Sequence, residues 1–238
     1  MNTPWDLEAT RRTAEALHGR DQLELLRGPL RSVVDRQVYA RIHFQDARAI
    51  LDKYVVEKLA DSSLIEVTFA AKPEVYAEYT TVLRQVSAHL VACVQSMHAL
   101  PDILAHVLYY ALGLNLKSPL PARSVSAKSV VKELCKEQEF IGLAELLDNV
   151  WNQGQFSHPD ALANHCKHRS IIFPALNEDW TGERAERYVV VFAAFEYEGA
   201  LFPQVIAREF LEAEYNRISP ATIALGNELN RLLLASAA

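Results

Sequence analysis

Cysteine is scarce in this chain. Cys93, Cys135 and Cys166 are the three present, odd in number, widely spaced and without a CxxC pair. That argues against a disulfide framework and fits a reducing compartment. Glycine is sparse as well: there are eight, and neither GxGxxG nor GxxxxGK[ST] occurs. Rossmann and P-loop nucleotide chemistry are therefore not expected. Positive charge is not in excess, with 24 Lys and Arg against 30 Asp and Glu, a net charge of -6. Without a global basic footprint, dedicated DNA binding is not expected. The opening "MNTPWDLEATRRTAEALHGRD" lacks an apolar h-region, so no signal peptide is expected. The most apolar long stretch, 82–114, carries Arg84, His89, His98, Asp102 and His106. A bilayer core tolerates such groups poorly, so no membrane span is expected and the reading is cytoplasmic.

What is present is enough apolar side chain for a core: 50% of 238 residues are hydrophobic. The expectation is a single helical domain over 1–238, with N-terminal helices (3–60) packing on a core bundle (73–235). Thr3 followed by Pro4 reads as the start of a helix ending at His18, with Gly19 as terminator. "DQLELL" reads as a short helical piece stopping near Gly28 and Pro29, and helical spacing resumes from Leu30 to about Ala60. "DSSLIEVTFAAKP" reads as a short strand or ordered loop. Pro73 opens a long helix whose stripe includes Tyr79, Leu83, Val86, Leu90, Val94, Met97, Leu100 and Leu104. Beyond Val91 it is apolar nearly all round, which predicts central burial. Pro101 must kink or divide it, and Gly113 closes it.

Residues 115–126 are loop by composition. Helices fit 127–139, 141–151 and about 158–168, the last capped by Ser157. At Ser170 the period changes. "SIIFPAL" and "RYVVVFAAFEYEG" are β-branched and aromatic around a polar "NEDWTGERAE", which predicts one β-hairpin near 170–198. Helices resume at about Phe202–Asn216, and Ser219 with Pro220 starts the last one. The expected fold class is mainly α: a helical bundle around a long kinked central helix, with one β-hairpin excursion.

Two polar strings could carry chemistry. Asn164, Lys167, His168 and Arg169 end a helix, with Asn164 and His168 four apart on one face. Histidine can move protons near neutral pH, and Lys and Arg can hold an anion. The same residues also suit a plain helix end, where cations complement loose carbonyls. Gln95, His98, Asp102 and His106 are spaced three, four and four, along one face of the long helix. They can line a binding site, or Asp102 can cap the half-helix after Pro101. His165, Cys166 and His168 are ligand types, but no second pair has zinc spacing, so neither metal nor cofactor is expected. Cys166 lacks an acyl-transfer pattern around it.

The string "NHCKHRSIIF", after a helix bearing "QSMHALPDILAHVLYYALGL", resembles prokaryotic proteins within or near the HEPN superfamily, the higher eukaryotes and prokaryotes nucleotide-binding domain. The later "FEYEGALFP" and "IALGNELNRLL" fit the same resemblance, which spans about 75–235. It implies a helical bundle, a homodimer, and action on or binding of RNA or a nucleotide. The family pattern Arg-x(4–6)-His implies proton transfer by His with charge stabilisation by Arg. Here the matching string is Asn164, Lys167, His168 and Arg169, with no arginine at that spacing before His168. Such spacings occur instead at Arg84 to His89 and Arg36 to His43. The functional expectation is thus a HEPN-like bundle whose polar string faces the long central helix. His168, Arg169, Lys167 and Asn164 are the catalytic candidates; Gln95, His98 and Asp102 are the binding candidates. The alternative is a non-catalytic dimerising or protein-interaction module in which the polar string fixes helix register.

Overall fold

The computed structural model describes residues 3–70, 72–152 and 154–237. The fold is mainly α with a small antiparallel β excursion. The helices are α1 Leu7–His18, α2 Arg20–Tyr54, α3 Pro73–His98, α4 Leu100–Ala111, α5 Leu114–Lys117, α6 Ala127–Leu134, α7 Ile141–Trp151, α8 Ser157–His168 and α9 Ala207–Ser236. The strands are β1 Pro174–Glu178, β2 Tyr188–Phe192, β3 Phe195–Tyr197, β4 Ala200–Phe202 and β5 Val205–Ile206. The residues read as one domain fall into two compact units: 1–38, 97–157 and 215–238 form the first, and 39–96 and 158–214 the second.

The first unit is built around α4. Pro101 divides the long apolar segment, since α3 ends at His98 and α4 begins at Leu100 with proline in its first turn. Leu100, Leu104, Ala105, Val107 and Leu108 are fully buried, and α6, α7 and the C-terminal part of α9 add Leu134, Leu143, Leu147, Leu225 and Leu229. Each fully buried leucine contributes about 1.5–3 kcal/mol of transfer free energy. Segment Pro73–Ala111 is long and apolar enough to cross a membrane by length and composition alone, but 56% of its most apolar window is buried, as in a core helix.

Polar clamps fix the connections of this unit. The Asp102 carboxylate accepts from the Ala127 amide at 2.8 Å, joining α4 to the start of α6. The Tyr109 hydroxyl donates to the Ser118 carbonyl and accepts from the Leu120 amide, which orders the loop read at 115–126. The expected Thr3 cap is replaced by Asp6, whose carboxylate takes the amides of Glu8 and Ala9 at 3.0 and 2.9 Å. A carboxylate satisfies two orphan donors and favours the positive helix end. The Trp5 indole donates from Nε1 to the Thr10 hydroxyl at 2.9 Å and packs against Gly226 of α9.

The second unit contains residues 39–54 of α2, most of α3, α8, all the strands and the start of α9. β1 and β2 pair antiparallel in the register Pro174↔Phe192 to Glu178↔Tyr188, as the hairpin reading requires. β5 pairs on the other edge of β2. β3 and β4 form a second, smaller hairpin whose turn places Glu198 and Gly199 at φ 52 and 80, the left-handed pair of a type I′ turn. Glu178 ties the first hairpin to the segment after α2. Its side chain is 1% exposed and accepts from the Leu64 amide, from Arg187 and from the Tyr188 hydroxyl. Of the tract read as strand or loop, residues 61–63 are non-helical, while 64–70 are helical with a π-turn at Glu66–Ala70; its Ala71 lies outside the described residues.

A Cβ placed on Gly226 would lie 1.9 Å from Trp5 Cδ2, so the indole occupies the space that a side chain would need. Gly226→Ala is expected to cost about 1–3 kcal/mol by overpacking. Thermal melts check this: the Tm should fall in Gly226→Ala, and Trp5→Ala in the same chain should recover part of the Gly226→Ala loss. Strict additivity of the two losses would show that the ring does not pack there.

Candidate functional site

The end of α8 carries the first candidate string, and its local geometry follows from the need to terminate a helix. The His165 carbonyl accepts from the amides of both Arg169 and Ser170, at 3.0 and 3.1 Å. The His165 ring donates from Nδ1 to the Ser170 carbonyl at 2.7 Å. The same ring meets Phe195 and Tyr197 edge-on, at centroid distances of 5.6 and 6.2 Å. A helix end leaves its last carbonyls without partners, and this turn closes it.

That closure sets the direction of the basic residues. Lys167, His168 and Arg169 are exposed, and the Arg169 guanidinium lies 4.5 Å from the centre of the Tyr197 ring. A cation over a tyrosine face is held by the ring quadrupole. Asn164 is half-buried and donates to Asp160 one turn earlier, at 3.0 Å. Cys166 accepts weakly from the Ile172 amide at 3.5 Å, and burial pushes its thiol up, away from thiolate chemistry.

The second string divides between the units. Gln95 belongs to the second unit, while His98, Asp102 and His106 belong to the first. Burial along it is partial: Gln95, His98 and His106 are half-buried and Asp102 is exposed. His98 stacks on Phe156 at 5.9 Å and 13°, and His106 donates from Nδ1 to the Asp102 carbonyl. Asp102 itself spans to the start of α6, so its role in the first unit is to join two helices. Asn164 to Arg169 lie wholly in the second unit.

The second unit also contains features that local sequence reading passed over. A half-open cavity of about 390 Å³ has an apolar floor of Ala47, Leu51, Val86, Leu90 and Val190. Its mouth carries Arg48, Asp52, Glu186, Arg187 and Arg208. These charges are paired: Arg48 with Asp52, Arg187 with Glu178, and Arg208 with Glu186 and Glu212. The cavity therefore offers apolar contact with a neutralised rim.

His158, at the start of α8, sits among Phe195, Phe202 and Phe210 at centroid distances of 5.7, 5.2 and 4.9 Å. Among the described residues its Nε2 is buried without a hydrogen-bond partner. Spacing does not announce this pocket, because two of its aromatics come from strands and one from α9. No family profile, curated protein or solved structure matches the chain.

Burial holds the His158 imidazole below its usual range, and burial does the same for His18, helped by Lys117. Both rings bind a proton less readily in the fold than in the unfolded chain, which takes up protons near pH 6.5. Between the folded and unfolded values the unfolded state binds more protons. Stability is therefore full above about pH 6.5 and falls as pH drops toward the folded values. Melts from about pH 7 to about pH 5 should show this loss, and His158→Leu should make it shallower. An unchanged slope in His158→Leu would show that the ring is already charged in the fold.

Proposed function

We propose that the chain binds an RNA or nucleotide ligand through the exposed basic end of α8, as a HEPN-like helical protein. The observation that carries this is Arg169 stacked over Tyr197, flanked by exposed Lys167 and His168. Cations suited to phosphate lie at this end, and the Arg169 guanidinium, backed by the Tyr197 ring, offers a plane on which a base can stack, as in single-stranded nucleic acid recognition. With a net charge of -6 the attraction is local, so binding rests on a few contacts at this end. Asn164, committed to Asp160, positions the last turn. The exposed His168 would be the side chain that moves a proton at a bound phosphate ester.

A second reading, a dimerising or protein-interaction module, is favoured by a separate surface of the second unit. Ile65, Phe69 and Trp180 are 56%, 87% and 64% exposed and line one groove. Exposed apolar side chains grouped in this way mark partner surfaces. On this reading Phe69→Asp should shift a dimer to monomer in sedimentation, and an unchanged sedimentation coefficient would remove the surface from the account.

Fluorescence anisotropy with a short single-stranded RNA tests the first reading. Wild type should bind with an affinity that falls as salt rises. The Lys167→Ala, Arg169→Ala double variant should bind more weakly, with the log–log salt slope reduced by about 1–2. Equal affinity in the two proteins, or no binding by wild type, would overturn it. RNA half-lives with wild type, His168→Ala and no protein separate cleavage from binding.

A further inference from the structure

His43 and Asp46 lie three apart on one face of α2, and His89 faces them from α3. The two imidazoles approach through the same atom type, Nδ1 to Nδ1, at 3.2 Å. The Asp46 carboxylate stands 3.8 Å from His89 Nδ1, and the three ligand atoms all lie within 4.8 Å of one another. We propose that His43, Asp46 and His89 form a binding site for a divalent transition metal of the zinc type. The proposal does not rest on the RNA reading, which concerns other side chains.

Two nitrogens about 2.0–2.1 Å from a tetrahedral ion are about 3.3–3.4 Å apart. The observed 3.2 Å is close to that edge, so the nitrogens need almost no change in separation, and a turn of each ring off the N–N line aims both lone pairs at one ion. Without an ion, one ring must carry its proton on Nδ1 and the other must present a lone pair, a match that fixes both tautomers. An ion removes that requirement, because both lone pairs then point at it. The Asp46 oxygen must move in by about half an ångström on the His89 edge, and by at most about 1.4 Å on the His43 edge, to reach the same edge length. Its side chain is 51% exposed, so a side-chain rotation can supply that movement.

The donor set selects the class of ion. Two imidazoles with one carboxylate suit zinc and its neighbours, whereas calcium and magnesium prefer oxygen shells. Three protein ligands leave a fourth position for water or an outside ligand, and the partial exposure of the cluster gives access to it. Both histidines are the ends of the Arg36–His43 and Arg84–His89 strings, so the structure joins two segments that the sequence shows only separately.

The test is titration of chelator-treated full-length protein with Zn2+ against a chromogenic competitor, alongside Zn2+-dependent thermal shift. Wild type should bind one ion and gain Tm. His43→Ala, Asp46→Asn and His89→Gln should each weaken binding at least about tenfold, since losing even an outer partner of a metal ligand costs that much. Cys135→Ser, which removes an exposed thiol elsewhere, should bind like wild type. Circular dichroism of His89→Gln shows whether the fold is retained, and Asp46→Asn provides a second variant at an exposed position. No binding by wild type, or folded variants that bind as wild type does, would overturn the site. The latter outcome would leave the histidine pair as a hydrogen bond and the ion as adventitious.

Discussion

One histidine determines how α8 ends. His165 satisfies the helix terminus through its carbonyl, takes the Ser170 carbonyl with its ring, and packs that ring against Phe195 and Tyr197. The chain can leave the helix in one direction only, and Lys167, His168 and Arg169 are exposed as a consequence. The basic string is therefore both of the things its sequence allowed. It is the wet end of a helix, and it is a cationic surface with an aromatic wall. The wall comes from β3, so the small hairpin β3–β4 is part of the candidate surface as well as a connection.

The prolines explain which helix boundaries were legible. Pro29, Pro101 and Pro220 all read as breaks, yet α2 and α9 run through the first and last. A proline removes the bond to the carbonyl four residues earlier. For Pro29 that residue is Leu25, and for Pro220 it is Asn216, both exposed, so water can take the freed carbonyl. For Pro101 it is Met97, 2% exposed, where water cannot reach. The helix divides where the orphan group would be buried. Sequence spacing identifies the proline but not the solvent around its partner. The same limit applies to residues 64–70, where a β-branched tract is held in helical turns beside the Glu178 clamp. The β1–β2 hairpin was legible because its β-branched and aromatic runs and the polar stretch between them are local signals.

The candidate sites divide along the same line. Asn164 to Arg169 are contiguous in sequence, so spacing alone could find them. Gln95, His98 and Asp102 would share a stripe in an unbroken helix, but Gln95 falls in the second compact unit and His98 and Asp102 in the first, with the helix break between His98 and Leu100. His43, Asp46 and His89 could not be found by spacing, because the two histidines come from different helices. Their Arg-x-His strings are loose enough to arise by accident in a chain with 24 Lys and Arg and eight His. What distinguishes them is that the two rings meet, which is a property of the fold. His158 and its three phenylalanines are hidden for the same reason.

The proposed ligand surface is formed by the end of α8 and Tyr197. Backbone amide chemical shifts of isotopically labelled protein, followed during titration with a short single-stranded RNA, locate the bound ligand. The largest changes should map to Lys167, His168, Arg169 and Tyr197, and they should saturate together. Changes centred on another face, or none at all, would contradict the proposal.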